Sequence, residues 1–201
     1  MIFTDYRDGK EYKTVVIGNQ TWMAENLNYG SGKCYNDVQD NCAKYGKLYD
    51  WKTAMNICPN GWHLPSDKEW TTLESFVGSD VGTKLKSTSN WQCIGGDEIS
   101  VFFTPKSEWL GLILYTYYPK GACKEPGDGS DEFGFSALPG GGAIPEYYGN
   151  PFGYVERNGY WWSSTNNDNW AKFFALIYLS GYIYNQNANK LHLLSVRCVK
   201  D

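Results

Sequence analysis

The sequence contains very little histidine, and this scarcity excludes several kinds of site. Only His63 and His192 occur among 201 residues. A metal centre with three histidine ligands is therefore impossible, and a histidine-dependent catalytic triad has few ways to form. The six cysteines include no CxxC pair, so a zinc knuckle is not expected either.

Long apolar segments and clusters of basic residues are also missing. Stretches such as residues 173–179 fall far short of the roughly 20 apolar residues that cross a bilayer. The net charge is −4, and Lys and Arg form no run. We therefore expect no transmembrane segment in this chain and no nucleic-acid partner.

Aromatic residues and glycine are abundant instead. Nine Trp, 16 Tyr and nine Phe make up 17% of the chain, and 22 Gly accompany them. This composition predicts a loop-rich fold in which large flat side chains do much of the packing. The length predicts a single domain over residues 1–201, with room for one large insertion.

The even number of cysteines favours three disulfides over six buried thiols, and disulfides place the protein outside the cytoplasm. The first residues show no export signal, which we interpret as a leader that has been removed. Fifteen pairings are possible for six cysteines. The pairing that we favour is Cys34–Cys42, Cys58–Cys198 and Cys93–Cys123. The Cys58–Cys198 bond closes the longest loop and should stabilise most, by about 4–5 kcal/mol.

The first half of the chain predicts a hairpin and two short helices. Residues 12–17 and 20–23 are strand-like around a Gly-Asn turn, and Asp50 is positioned to cap a short helix. Ser66 and Glu69 have the spacing of a capping box, which makes Glu69 a backbone cap rather than a catalytic acid. The helix ends at Gly78, and its predicted buried face consists of Trp70, Leu73, Phe76 and Val77.

The second half predicts strands. Residues 99–103 and 110–118 are strand-like, and the glycine-rich stretch 133–142 indicates a tightly packed core turn rather than a phosphate cradle. Strands at 160–164, 172–179, 182–184 and 191–200 predict a C-terminal antiparallel β-meander. The predicted class is α+β, with a short N-terminal hairpin, two main short helices and much irregular loop.

Several ordered motifs together resemble one family. They are TDYRDGK at 4–10, GNQTWMAENL at 18–27, YGKLY at 45–49, CPNGWHLP at 58–65, GFSALPGG at 134–141, WWSST at 161–165 and SVRCV at 195–199. This set closely resembles the Fibrobacter succinogenes major paralogous domain, which is found in exported and surface lipoproteins of Bacteroidetes and Fibrobacteres. The resemblance covers residues 4–201.

The resemblance implies a C-type-lectin-like fold, nearest to the formylglycine-generating-enzyme type. The LP-x-x-x-EW helix of that type is matched by Leu64, Pro65, Glu69 and Trp70. Its enzymes need a close cysteine pair near the C-terminus, where this chain has only Cys198, and the related sulfoxide synthases need a histidine-rich iron site. The resemblance therefore implies a non-enzymatic branch. The sequence departs from the family pattern at about 92–127, an insertion that carries aromatic residues and is either a specificity element or a decorated loop.

A lectin-like fold suggests calcium, although the sugar-site tripeptides EPN and QPD are absent. Asp168, in a stretch that loosely resembles a WND calcium motif, and the cluster Asp128, Asp131 and Glu132 are calcium candidates, but each also reads as a solvated turn. We predict no cofactor and keep calcium as the alternative.

The C-terminal meander carries the predicted ligand surface, because amides and aromatic rings are the pair that sugar recognition uses. We place its asparagines in two loops beside the aromatic residues. The predicted residues are Asn166, Asn167, Asn169, Trp170, Tyr182, Tyr184, Asn185, Asn187 and Asn189. The alternative is that asparagine fills turn positions and tyrosine packs on the sheet.

The resulting hypothesis is a non-enzymatic, surface-exposed binding module with adhesin-like recognition of a glycan or protein ligand. It would lie outside the cell or on its surface, as an outer-membrane lipoprotein. One alternative is a structural component of a cell-surface assembly without a small ligand. Another is a glycan-acting enzyme that uses acids such as Asp131 and Glu132.

Overall fold

The computed structural model describes residues 1–92, 129–144 and 150–201, together with the backbone of strands at 99–103 and 113–117. It is an α+β protein in which strands predominate. The described strands are β1 (Ile2–Asp5), β2 (Lys10–Ile17), β3 (Gln20–Met23), β4 (Leu48–Tyr49), β5 (Trp62–His63), β6 (Ile99–Phe103), β7 (Ile113–Tyr117), β8 (Gly140–Ala143), β9 (Phe152–Val155), β10 (Asn158–Asn167), β11 (Trp170–Ile177), β12 (Ile183–Asn189), β13 (Leu194–Ser195) and β14 (Val199–Lys200). The described helices are α1 (Gln39–Tyr45), α2 (Trp51–Ala54), α3 (Asp67–Val77) and α4 (Val81–Leu85), besides a 3-10 turn at Tyr35–Asp37.

Two β-sheets organise the protein. The five-stranded sheet has the order β1-β2-β3-β14-β5, and the seven-stranded sheet contains the path β12-β11-β10-β13-β4, with β8 and β9 attached beside β10. The hairpin of β2 and β3 confirms the predicted N-terminal hairpin, and β1 extends it. Strands β10, β11 and β12 pair antiparallel in succession, which confirms the first three strands of the predicted meander. Strands β6 and β7 confirm the two strand-like segments predicted in the insertion, and they pair with each other as a separate antiparallel hairpin.

Helix α3 forms where its sequence signals indicate. The Ser66 hydroxyl accepts a hydrogen bond from the Glu69 N–H, and the Glu69 carboxylate accepts one from the Ser66 N–H, so the capping box is complete. Trp70 and Leu73 lie in the core. The prediction that Phe76 joins this buried face is wrong, because the residue is 56% exposed.

Phe76 lies instead over the turn at Gly18, where an added Cβ would come within 2.9 Å of its ring. It also meets the edge of Phe133, at a ring separation of 6.1 Å. The position is at the margin of the helix's apolar stripe, where the β2-β3 turn covers only one side of the ring. Helical spacing alone does not show how far a neighbouring loop extends over a side chain.

Helices α1 and α4 were not predicted, and their first residues explain why. Helix α1 follows Val38, which provides no side-chain cap. Helix α4 follows Asp80, whose backbone is left-handed at φ 60° and whose side chain accepts from the Thr83 hydroxyl but caps no backbone N–H. The prediction of two main helices is therefore too low. Helix α2, by contrast, has Asp50 as its N-cap, accepting from the Thr53 N–H, as expected.

The glycine-rich stretch 133–142 begins in a turn, where the Gly134 N–H donates to the Asp131 carbonyl, and it ends in strand β8; its close packing is confirmed. Gly141 has φ 63°, and a Cβ there would lie 2.5 Å from the Gly153 carbonyl oxygen. Only glycine fits such a left-handed position against backbone. The contact lets β8 and β9 approach each other beside β10.

Tryptophan rings form much of the core. Trp70 stacks on Phe174 of β11 at a ring separation of 5.0 Å and contacts Trp22 of β3 at 4.8 Å, which joins the helix to both sheets. Trp162 belongs to a second cluster on the other side of the seven-stranded sheet, and its indole N–H donates to the Tyr49 carbonyl.

Arg197 is a buried cation within this aromatic core. Its guanidinium donates to Asn26 Oδ1 and to the Phe135 carbonyl, and it lies 4.3 Å from the centre of the Phe135 ring. Burial lowers its pKa to about 9, although Asp131 and Glu25 oppose that change. Arg197 therefore remains charged at neutral pH and fixes the segment between the two sheets.

The last predicted strand, 191–200, is wrong as a single element. Leu194–Ser195 pairs with β10 and β4 in one sheet, whereas Val199–Lys200 pairs with β3 and β5 in the other. The chain crosses between the sheets at residues 196–198, and residues 194–199 are all buried. Because both faces of this segment are covered, its alternation does not reveal the crossing.

Two of the three predicted disulfides are present in the described residues. Cys34 is bonded to Cys42 and Cys58 to Cys198. The predicted Cys93–Cys123 bond lies outside the described residues, as do the aromatic side chains of the insertion. Among the residues that the structure describes, no helix has the length and apolarity needed to span a membrane.

Candidate ligand-binding site

The tip of the β10-β11 hairpin brings one predicted aromatic residue between two predicted amides. Asn167 ends β10, a two-residue turn of Asp168 and Asn169 follows, and Trp170 begins β11 directly opposite Asn167. Asn189 of β12 lies directly opposite Trp170 on its other side. The three side chains share one face of the sheet, and we call Asn167, Trp170 and Asn189 the tip row. Trp170 is 37% exposed.

A second row on the same face carries charge and further amides. Lys172 lies opposite Asn187. Its ammonium group is 3.1 Å from the carboxylate of Asp67, the first residue of α3, and the Asn185 amide donates to the same carboxylate. The start of α3 therefore borders the tip row and closes this face toward the core.

A β-bulge holds the tip in place. The register of β10 against β11 shifts between Trp162 and Asn166. Within the shift, the Ser163 carbonyl accepts from the Trp51 indole at 2.8 Å, and the Ser164 N–H donates to the Pro65 carbonyl at 2.9 Å. Bulges commonly redirect side chains next to binding sites, and this one fixes the hairpin tip against α2 and α3.

The predicted asparagines differ in whether their amide groups are available to a ligand. Asn166 accepts from Lys190 Nζ at 2.8 Å, so it is part of the hairpin's own support. Asn189 accepts from the Leu191 N–H, which leaves its NH₂ group for other partners. Asn167, Asn169 and Asn187 are exposed, and their side chains form no hydrogen bond with any described residue. Asn185, Asn187 and Asn189 belong to strand β12, so placing them in a loop was wrong.

The two predicted tyrosines do not join the tip row. Tyr182 is 73% exposed immediately before β12, seven residues along the chain from the partner of Trp170, or about 23 Å at the usual rise per residue. Tyr184 lies on the opposite face of the sheet, where its hydroxyl is 2.9 Å from Ser180 Oγ. The alternation of a strand separates Tyr184 from its asparagine neighbours, which the loop interpretation had placed beside it.

The calcium candidates occupy separate places. Both carboxylate oxygens of Asp131 accept hydrogen bonds from Ser136, each at 2.6 Å, while Glu132 is exposed beside it. Asp168 is exposed in the hairpin turn, and Asp128 lies outside the described residues. Within the described parts of the chain, no group of three or more His, Cys, Asp or Glu side chains is arranged to hold a metal ion.

A charged cluster that the sequence analysis missed surrounds His63. Its Nε2 is 2.7 Å from Glu69, and its Nδ1 is 2.6 Å from Asp201. Burial favours a lower pKa for His63, but the hydrogen bonds to Asp201 and Glu69 outweigh it, and the pKa lies above the ordinary value. Burial likewise favours a higher pKa for Glu69, but the bonds from Ser66 and His63 bring its pKa below the ordinary value. The sequence feature that could have indicated this cluster is His63 itself, two residues before Pro65.

This cluster borders an open cleft of about 520 Å³ between the β2-β3 turn, α3 and β14. Its lining residues are Asn19, Gln20, Ser66, Lys68, Glu69, Thr72, Val199 and Lys200. Both ring nitrogens of His63 are already hydrogen-bonded. The imidazole therefore presents no unoccupied nitrogen to a ligand, and the cluster mainly joins β5 to α3 and to Asp201.

Residues 15–200 match the family model described as the Fibrobacter succinogenes major domain. The chain belongs to this family. No curated protein and no solved structure gives a significant match. In this Fibrobacter succinogenes major domain, the match extends from the β2 strand to β14 and so includes the tip row, the bulge beneath it and the His63 cluster.

Proposed function

We propose that this domain is a non-enzymatic binding module displayed outside the cell, and that the tip row is its glycan-recognition surface. The observation that supports this most directly is an exposed indole with an amide on each side, in register across three strands. An aromatic face stacks on the C–H side of a pyranose ring, and amides hydrogen-bond to the hydroxyls at its rim.

The surroundings of the tip row favour a sugar over an apolar ligand. Asn167, Asn169 and Asn187 have unused amide groups, and Lys172 with Asp67 places a balanced charge pair at the border. A neutral polyhydroxylated ligand fits this chemistry because it offers both donors and acceptors. In this proposal no calcium ion is needed, and the ligand is held by stacking and amide hydrogen bonds alone.

The proposed location and fold rest on different features. The bonds Cys34–Cys42 and Cys58–Cys198 favour an oxidising compartment, which agrees with an adhesin-like protein or surface lipoprotein. A C-type-lectin-like fold of the formylglycine-generating-enzyme type is our proposal for the architecture. It is supported by the capped helix after Leu64-Pro65 and by the late strand β14, which closes beside the early strand β3.

A glycan array tests the proposal. The oxidised protein is screened once with calcium and once with EDTA, as wild type, as Trp170→Ala and as Tyr182→Ala. We expect specific glycans to bind in both conditions, with an affinity about tenfold lower in Trp170→Ala, a change of about 1.4 kcal/mol. Tyr182→Ala is the matched control, because it removes an exposed aromatic ring outside the tip row.

Several outcomes would contradict the proposal. A blank array in both conditions would favour a protein ligand or a structural role in a surface assembly. Equal losses in the two variants, or a loss confined to Tyr182→Ala, would remove the tip row as the binding surface. Loss of binding in EDTA would show that the ligand is held through calcium after all.

A further inference from the structure

The outer edge of β12 is open to pairing with another strand. β12 is the last strand on its side of the seven-stranded sheet, and β11 is its partner on the inner side. No strand in the described part of the chain pairs with its outer edge. Such an edge presents backbone N–H and C=O groups that another extended chain can bind.

The hairpin turn determines which backbone groups of β12 face outward. A two-residue turn makes Asn167 and Trp170 a hydrogen-bonded pair, so the N–H and C=O of Trp170 point to β10. Those of the next residue, Ala171, then point to β12, and the direction alternates along both strands. By this alternation the backbone groups of Asn185 and Asn187 point away from β11.

Nothing in the sequence of β12 protects this edge. Its seven residues, IYNQNAN, contain no charge, no proline and no glycine, and their register against β11 is continuous. Edge strands of soluble proteins are commonly guarded by lysine, proline or a bulge. A regular, uncharged edge of this length is typical of a strand that accepts a partner.

We propose that β12 pairs antiparallel with β12 of a second copy of this chain, about a two-fold axis at Gln186. This register pairs every residue of the strand, since Ile183 then lies opposite Asn189 of the second copy. It sets Tyr184 opposite the small Ala188, and Asn185 opposite Asn187. In this register a large side chain lies opposite a small one, amide side chains lie opposite each other, and no like charges meet. The strand is therefore complementary to a second copy of itself.

We expect the pairing to be weak in solution and to strengthen where many copies of the domain are held close together at a surface. By the alternation above, Ile183, Asn185, Asn187 and Asn189 face outward and form four hydrogen-bonded pairs across the axis. Because the Asn189 carbonyl already accepts from the His192 N–H, about six backbone hydrogen bonds can form between the two copies. An interface of one strand edge is small, and small interfaces are transient. A two-fold axis perpendicular to the sheet leaves both Trp170 side chains on the same side of the extended sheet. Paired copies therefore present two tip rows together, which raises avidity for a repetitive ligand.

Sedimentation velocity without ligand tests the pairing independently of the proposed function. Wild type, Asn187→Lys and Asn60→Lys are compared over a concentration series. We expect a concentration-dependent dimer in wild type and in Asn60→Lys, which adds the same charge at an exposed turn away from β12. In Asn187→Lys the dimer should be lost, because two lysines would flank the axis. A wild type that remains monomeric at its highest soluble concentration, or a dimer unaffected by Asn187→Lys, overturns the proposal.

A site-specific cross-link tests the register. At the axis, the two copies of residue 186 form a non-hydrogen-bonded pair with Cα atoms about 4.5 Å apart, within the range of a disulfide. Gln186→Cys should give a covalent dimer under mild oxidation, whereas Asn60→Cys should not. Equal cross-linking of both variants, or none at position 186, contradicts the proposed register. A mixed result, with cross-linking at Asn60→Cys alone, would assign the contact to another surface.

Discussion

The two disulfides should differ about twofold in their contribution to stability. Cys58–Cys198 spans a sequence separation of 140, and Cys34–Cys42 spans 8. In the chain-entropy description, closing loops of these lengths raises the free energy of the unfolded chain by about 5 and about 2.5 kcal/mol at 25 °C. Removing the long-range bond should therefore lower the free energy of unfolding by about twice as much as removing the local bond.

The pairs are well matched for this comparison, because each contains one cysteine with no exposed surface, Cys42 or Cys198. We expect Cys58→Ala/Cys198→Ala and Cys34→Ala/Cys42→Ala to lose similar packing, so that loop length makes the difference. Alanine avoids placing a hydroxyl in the core. Urea unfolding followed by tryptophan fluorescence should move the midpoint by about 2 M and about 1 M, respectively.

Equal midpoint shifts in the two double variants would refute the reasoning, as would a larger shift in Cys34→Ala/Cys42→Ala. Either result would mean that structure remaining in the unfolded chain, rather than loop closure, determines what each bond contributes. Far-UV circular dichroism before unfolding confirms that each variant starts from the native fold.

Three further predictions concern the core and the His63 cluster. The raised pKa of His63 means that its stabilising contribution is complete below the unfolded value of about 6.5 and is lost as pH rises through the higher folded pKa. Thermal melts of wild type should therefore lose stability over that range, whereas those of His63→Gln should not, and parallel curves would contradict the assignment. Arg197→Ala should cost at least about 3 kcal/mol in urea unfolding, because it leaves buried acceptors unpaired, and a cost under about 1 kcal/mol would oppose this role. Trp162→Phe should lower the free energy of unfolding by about 1 kcal/mol more than Trp70→Phe. The reason is that the Trp162 indole N–H donates to a buried carbonyl, whereas the Trp70 indole N–H has no partner among the described residues. Equal urea midpoints for the two variants would contradict this prediction.

Short sequence patterns were sufficient to predict the helices and strands that contain them. The Ser66 and Glu69 spacing predicts α3, and the Gly-Asn turn predicts the first hairpin, because each signal acts within a few residues. The insertion strands follow from β-branched and aromatic runs in the same way. The pairings Cys34–Cys42 and Cys58–Cys198 were also reached, although spacing alone leaves other pairings open.

The arrangement of the site depends on contacts that no local pattern records. Asparagine is common in turns, and its frequency in β12 concealed a strand whose inner edge pairs with β11. Lys190 engages Asn166 across the hairpin, and His63 meets Asp201 over most of the chain length. Such pairings follow from the register of distant strands, which is fixed only when the sheets assemble.

The position of β14 has a consequence for folding during synthesis. Val199 pairs with Trp22 on one side and with His63 on the other, so the early strands β3 and β5 are joined by a strand near the end of the sequence. Until the ribosome has added β14, these strands lack the neighbour that links them. The five-stranded sheet is therefore completed only after β14 emerges, and the same event brings Cys198 to Cys58. Such long-range closure slows folding, and it keeps this sheet from reaching its final arrangement before β14 is made.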